Sequence, residues 1–456
     1  MAILVFCIAI FYSAIDAPAA ILTVGPSGDF TTVQGAIDYA VGLGGDNEIR
    51  VETGSYIENL VIPSSMTSGF LSLLGGWDGL FLSRTTDPSA TVIDSDLAGR
   101  PLRVENGGGE VVADGFTLTG GYSDSFALGG GVYVYPTSNG VVRITHCDVV
   151  NNSVVQSGAS GGGVWATVYG QSEFYLTNCR ISGNLASGGM GPALAGGLYV
   201  TAHDSSTVLL SDLVVEDNVV SGSHPDRNLQ YGGVLLIIDD DANGRLLDSV
   251  IAWNRIEGAG HSWAGGGSLS GMGLTVRRCL WLDNESNTGN ADFQLILGTV
   301  TMTDSVVAGG NTNSVLAGGH SVTIQNTNLT IVDSPGAGFT VAVYDDSQTS
   351  LFNTILSRNA SDVEILAGSL NSGNNLIGQD PFFVNPEERD YRLRIGSPAE
   401  NQGTNSPQGG LGPADCDGGP RIVDGVVDIG AYEGISEVFV DSFESGNTSA
   451  WTTTFP

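Results

Sequence analysis

An asparagine register constrains this chain more tightly than any other feature. Asn152, Asn184, Asn218, Asn254 and Asn284 follow one another at intervals of 32, 34, 36 and 30. Five residues before each stands Cys147, Cys179, Leu213, Ser249 or Cys279. Each unit opens on small residues and turns apolar: "GGGVYVYP", "GGGVWATV", "AGGLYVTA", "YGGVLLII" and "AGGGSLSG". The frame continues at Ser305/Gly310, Thr327/Val332 and Thr354/Asn359. A fixed register with loops of variable length is the signature of a solenoid.

Inside each unit the apolar period is two. "GVYVYP", "VVRIT" and "CDVVN" each alternate and are separated by Gly, Asn and Ser turns. Three short strands per unit predict a triangular coil. Stacked coils form three parallel sheets, with identical positions ~4.8 Å apart along the axis. On this reading Cys147 and Cys179 belong to an internal ladder rather than a disulfide. The asparagines form a turn ladder whose amides hydrogen-bond one another, and the glycines supply positive φ or close approach at corners. One segment has the helical period. Val33, Ala36, Ile37, Ala40 and Val41 share one face of "FTTVQGAIDYAVG", which predicts a helix N-capped by Thr31 or Thr32 and lidding the open end of the stack.

The charge balance narrows the partners. There is no lysine; 16 arginines face 49 acids, for a net charge of -33. Such a surface excludes nucleic acid and anionic membrane as expected partners. The start, "MAILVFCIAIFYSAIDAPAA", is apolar and ends in small residues, with Ala17-Pro18-Ala19 as a cleavage site. It lacks a basic n-region, and Asp16 interrupts the run. We read it as an export signal, with no transmembrane span expected in the mature chain. Five cysteines without C-x-x-C spacing make neither a disulfide scaffold nor a zinc site.

These residues resemble the right-handed parallel β-helix, or pectin-lyase-like, superfamily. "VGPSGDFTTVQGAIDYA" with "IRVETGSYIENLVI" looks like the opening of many such proteins, pectin methylesterases among them. "LLGGWDGLFLSRTTDPSATVIDSDLAGRPLRV" with "VADGFTLTGGYSD" is similar to secreted bacterial β-helix surface proteins. "IGSPAENQGT" with "DCDGGPRIVDGVVDIGAYE" resembles the choice-of-anchor Q domain that closes them. The expected organisation is a signal peptide at 1–19, a right-handed parallel β-helix with an N-terminal capping helix at 20–395, a closing segment at 396–434 and a tail at 435–456. No apolar anchor is read in the tail; "FVDSFESGNTSAW" resembles a short tail of other secreted bacterial proteins and is read as a secretion or surface-sorting tag, with an unstructured terminus as the alternative. Arg421 is expected to pair with Asp424 or Asp428.

Outward positions carry the functional expectation. Counted from the last glycine of each opening (Gly131, Gly163, Gly197, Gly233, Gly267), offsets +1 and +3 are apolar in four coils and face in. Offset +2 then faces out and reads Tyr133, Trp165, Tyr199, Leu235 and Leu269. Flat rings in an outward row suit the apolar faces of sugars; the alternative is an incidental row or one covered by a neighbouring loop such as "TGGYSDSFALGG". Offset +7 gives Asp204 and Asp240, beside His203, Asp239 and Asp241. Stacked carboxylates splay into water or hold a hard cation such as Ca²⁺; the alternative for Asp239–Asp241 is a solvated turn. The methylesterase and galacturonase patterns are incomplete, "GAGHSW" around His261 being only reminiscent of the latter. The arginines are scattered rather than grouped along the repeats, which weighs against a uronate lyase. The leading expectation is a secreted or cell-surface, non-catalytic protein binding glycan or a surface partner through Tyr133, Trp165, Tyr199, Asp204 and Asp240. A divergent polysaccharide lyase or hydrolase and a purely structural stalk are the alternatives.

Overall fold

The computed structural model describes residues 20–123, 127–189, 191–222, 231–258, 263–287 and 293–434. Residues 1–19, expected to be an export signal, together with His261 and the tail, lie outside them. The chain winds into a right-handed parallel β-helix in which each strand pairs with its counterpart one coil earlier and one coil later. Val132–Val134 lies between Leu102–Val104 and Val164–Val168. Val141–Thr145 lies between Glu110–Asp114 and Glu173–Thr177. Asp148–Val150 lies between Thr117–Thr119 and Arg180–Ser182. A fourth sheet follows the asparagine corner, through Tyr122–Ser123, Ser153–Val155, Leu185–Ser187, Val219–Ser221 and Arg255–Glu257. The sequence reading stopped each unit at the asparagine because strands of two or three residues are too short to display a period.

The corners are built mostly from asparagine and aspartate. His146, Asn178, Asp212, Asp248, Arg278 and Asp304 turn the chain before the cysteine column, all at positive φ. Asn151, Gly183, Asp217, Trp253 and Asp283 do so before the asparagine column. A single left-handed residue makes each bend, and Asn and Asp reach that region most readily among residues with a side chain. The opening glycines answer a different need. A Cβ on Gly131 would lie 2.5 Å from Asn152 Nδ2, and one on Gly163 2.8 Å from Asn184 Nδ2.

The asparagine ladder forms in full. Nδ2 of Asn152, Asn184, Asn218 and Asn254 donates to Oδ1 of the next asparagine at 3.1, 2.9, 2.9 and 3.0 Å. The same Oδ1 atoms accept the preceding asparagine's backbone N–H, and Nδ2 also reaches a carbonyl one coil back, as Asn218 does to Ile181 at 2.9 Å. Cys147 and Cys179 are free and buried, with Cys147 N–H directed at Cys179 Sγ at 3.4 Å.

Two register expectations are corrected. Gly267 pairs with Val234, so Ser268 joins the outward column and Leu269 faces in. The extra glycine of "AGGGS" had shifted the count by one. Farther along, Ser305 pairs with Leu329, not Thr327, because continuous pairing through Thr303 fixes the frame two residues later. At the other end, helix Val33–Leu43 buries Val33, Ala36, Ile37 and Ala40. Thr32 is its N-cap, and Glu58 accepts the N–H groups of Val33 and Gln34, both at 2.9 Å.

The parallel coils run to Ile377. The antiparallel pair Phe383–Asn385/Asp390–Leu393 follows, and the closing segment then lies along the side of the last coils. Phe383, Tyr391, Ile429 and Tyr432 pack on the outward side chains of Leu280, Val306, Val332 and Ile355. Arg421, 2% exposed, does not pair with Asp424 or Asp428. Its Nε is 3.5 Å from Oδ1 of Asp304, a fully buried corner residue, and its other nitrogens donate to the carbonyls of Asp428, Gly430 and Ala431. Arg389 bonds Asp283 and lies 3.3 Å from Asp333. Glu433 accepts the N–H groups of Val423 and Asp428, and burial pushes its carboxyl up to about 7.

Two outcomes follow. Asn218→Ala strands buried donors on Asn184 and should lower unfolding free energy by about 2–4 kcal/mol in chemical denaturation. Because the Glu433 pKa is raised on folding, its protonation stabilises the fold below the unfolded value near 4.5, and that contribution is lost as pH rises through about 7. Thermal melts between pH 5 and 8 should therefore show a smaller decline for Glu433→Gln than for the wild type.

Candidate functional site

Three successive strands build the site. Val132–Val134, Val164–Val168 and Leu198–Ala202 are in direct register, so Tyr133 lies opposite Trp165 and Trp165 opposite Tyr199. Valines on either side point into the core, and the period-two alternation sends the three rings outward. The rings stack: Tyr133 on Trp165 at 4.8 Å and 16°, Trp165 on Tyr199 at 6.3 Å and 8°. The expected aromatic row therefore exists, but with a different presentation. Trp165 is 8% exposed, held between its two neighbours. Its faces are occupied by tyrosines, so it cannot offer a flat ring to a sugar. It is the platform of the patch rather than its contact surface.

The patch is wider than the single column. Tyr135 lies 6.4 Å from Trp165 at 10°, and edge-on to Tyr169 at 5.9 Å. Tyr169 stacks on His203 at 4.7 Å. These rings occupy the next outward positions of the same strand lines and could have been found by extending the count to offsets +4 and +6. Between them Thr167 and Thr201 share a hydrogen bond of 2.8 Å. At one end Arg100 and Arg103 lie over the Tyr133 ring, 5.7 and 5.5 Å from its centroid, and Arg103 pairs with Glu105 at 2.5 Å. At the other end Leu235 is buried under Tyr231, Ala195 and Ala264, with Tyr199 and Trp263 against that cluster.

What reaches solvent is a set of phenol edges. Among the described residues, the hydroxyls of Tyr133, Tyr135, Tyr169 and Tyr199 have no protein hydrogen-bond partner, yet none is sealed as a buried orphan. Burial is the main cause that raises the Tyr133 and Tyr199 pKa values, aided by Glu105 at the first and by Tyr169 and Asp239 at the second. Both hydroxyls thus remain neutral donors and acceptors at physiological pH.

Asp204 and Asp240 sit just past these strands, exposed and in left-handed corners. Asp204 Oδ2 accepts the N–H of Gly170 at 2.9 Å, and Asp240 Oδ2 that of Asp204 at 3.3 Å. Each carboxylate caps the turn one coil earlier, which resolves the repulsion of stacked acids without convergence. Among the described residues no group of three or more His, Cys, Asp or Glu side chains could hold a metal ion. His203 Nδ1 lies 3.6 Å from Asp239.

No family model matches the chain, and no curated protein matches it. Among solved structures it is similar to the deglycosylated pectin methylesterase from Aspergillus niger, at 13% identity over 84% of this chain and 92% of that one, with a TM-score of 0.28. It is also similar to pectate lyase Pel9A, at 12% identity over 91% and 96%, with a TM-score of 0.34. Likeness this distant carries no chemistry to the present side chains, and the site rests on its own geometry. That geometry makes Trp165 structural. Trp165→Ala should cost about 3–5 kcal/mol in denaturant unfolding and raise the solvent exposure of Tyr133 and Tyr199.

Proposed function

We propose that this protein is a secreted or cell-surface β-helix that binds a glycan, without catalysis, through the lateral face built on Tyr133, Trp165 and Tyr199. One observation carries the reading: four phenol hydroxyls that have no protein partner among the described residues stand on a stacked aromatic bed. Rings already fixed by one another lose little conformational freedom on binding. Hydroxyl edges alternating with ring edges suit a polyhydroxylated chain laid along the axis, where the coil spacing of ~4.8 Å repeats on the scale of a sugar residue. Asp204 and Asp240 border this face, but their bonds to backbone amides favour a shaping role over an acid–base one. Export rests on the apolar start ending at Ala17-Pro18-Ala19.

The test is a glycan array followed by calorimetry on the full chain, with reducing-end assays alongside. Binding without product release is expected. The double substitution Tyr135→Phe, Tyr169→Phe should weaken it about tenfold at unchanged melting temperature, two hydrogen bonds being worth about 0.5–1.5 kcal/mol each. An array with no ligand, or sugar released by the wild type, overturns the reading. Recovery of the chain outside the cytoplasm, starting after Ala19, is the matching outcome for export.

A further inference from the structure

One coil departs from the others at the corner before the asparagine column. Asn151, Gly183, Asp217 and Asp283 stand there at equivalent positions, each N–H donating to a carbonyl of the next coil. All four residue types tolerate a left-handed backbone. Trp253, between Asp217 and Asp283, makes the same turn at φ 54°. A bulky residue in that region is strained, and no packing offsets the strain. The ring is 51% exposed, and among the described residues its side chain has no ring contact, hydrogen bond or cation against it. The other described tryptophans are all engaged. Arg50 lies over Trp77 at 4.2 Å, Trp165 stacks between tyrosines, Trp263 packs against the Tyr231 cluster and Trp281 is buried on Phe293 at 4.1 Å. Strained residues without a packing role collect where a protein meets a ligand.

We propose that Trp253 is the contact residue of a second site, which takes an uncharged pyranose. The free indole offers what Trp165 does not, a flat ring for the C–H face of a sugar. Charge selects the class of sugar. Acids stand one coil to either side, ~4.8 Å away along the axis. Asp283 is held by Arg389. Asp217 is exposed, and its carboxylate has no partner among the described residues. It accepts hydroxyls at the edge of a pyranose lying on the ring, in charge-assisted bonds. A uronate would set its own carboxylate against Asp217. Arg255, two residues on, does not relieve that repulsion, because it is paired with Glu257 at 2.6 Å. The site stands apart from the tyrosine face. That face continues into Val234–Ile238, on a different side of the coil from Val250–Ala252, which leads into Trp253. The inference therefore does not depend on glycan binding at the tyrosines.

Indole N–H resonances of the full chain test the assignment, with Trp253→Asn identifying the Trp253 signal by its loss. Asparagine suits the left-handed corner, so this variant should melt no lower than the wild type. In the wild type the Trp253 signal should shift saturably with at least one of cellohexaose, xylohexaose and maltohexaose, and stay in place with hexagalacturonate. Asp217→Asn should weaken that response about tenfold, and Tyr135→Phe/Tyr169→Phe should leave it unchanged. A Trp253 signal that none of the three neutral chains moves, or that only hexagalacturonate moves, overturns the proposal. So does a lower melting temperature for Trp253→Asn, which makes the ring structural, or a response lost in the tyrosine double variant, which assigns it to the other face. A still Trp253 signal beside ligands found on the glycan array sinks this inference alone. A shift that survives the tyrosine substitutions upholds it whatever the tyrosine face binds.

Discussion

Every side chain in this fold meets its counterpart one coil away, and the structure depends on how each column meets that condition. The asparagines meet it best, because a primary amide is both donor and acceptor and complements itself. From Asn152 to Asn284 each amide gives to the next and receives from the last. The glycine column exists because those amides fill the space a Cβ would need. The same condition stacks Trp165 between tyrosines, joins Thr167 to Thr201, and turns Asp204 and Asp240 toward backbone amides.

The columns change character where the closing segment docks. Arg421 enters the corner column at Asp304, and Arg389 joins Asp283 across to Asp333. Between those two acids the corner is Gly309, where a Cβ would strike both Asp283 and Arg389. The missing side chain admits the guanidinium. Acids that would repel along a column are thus held by cations from a distant part of the chain.

The aromatic patch shows how stacking along a column fixes a group of rings in place. The faces of Trp165 are consumed by stacking on Tyr133 and Tyr199, and the tyrosine edges and hydroxyls are what remain toward solvent. This changes the kind of contact expected from the row. In the proposed glycan-binding role, hydrogen bonding from Tyr135 and Tyr169, which the spacing argument did not include, takes the place of face stacking by Trp165.

Much of the architecture was legible because a solenoid writes its packing into a local repeat. The asparagine ladder, the cysteine column, the helix at Val33–Leu43 and the outward row Tyr133–Trp165–Tyr199 all follow from spacing alone. The fifth coil was misread because a run of three glycines does not say which one holds the reference position, and only pairing with Val234 does. What the sequence by itself determined is which residues share a column, since period and register are local properties. What only the tertiary structure decided is what covers each column: the sandwiching of Trp165, the pairing of Arg421 with Asp304, and the closing segment's place along the side. Those contacts join positions far apart in the chain, and no local period encodes them.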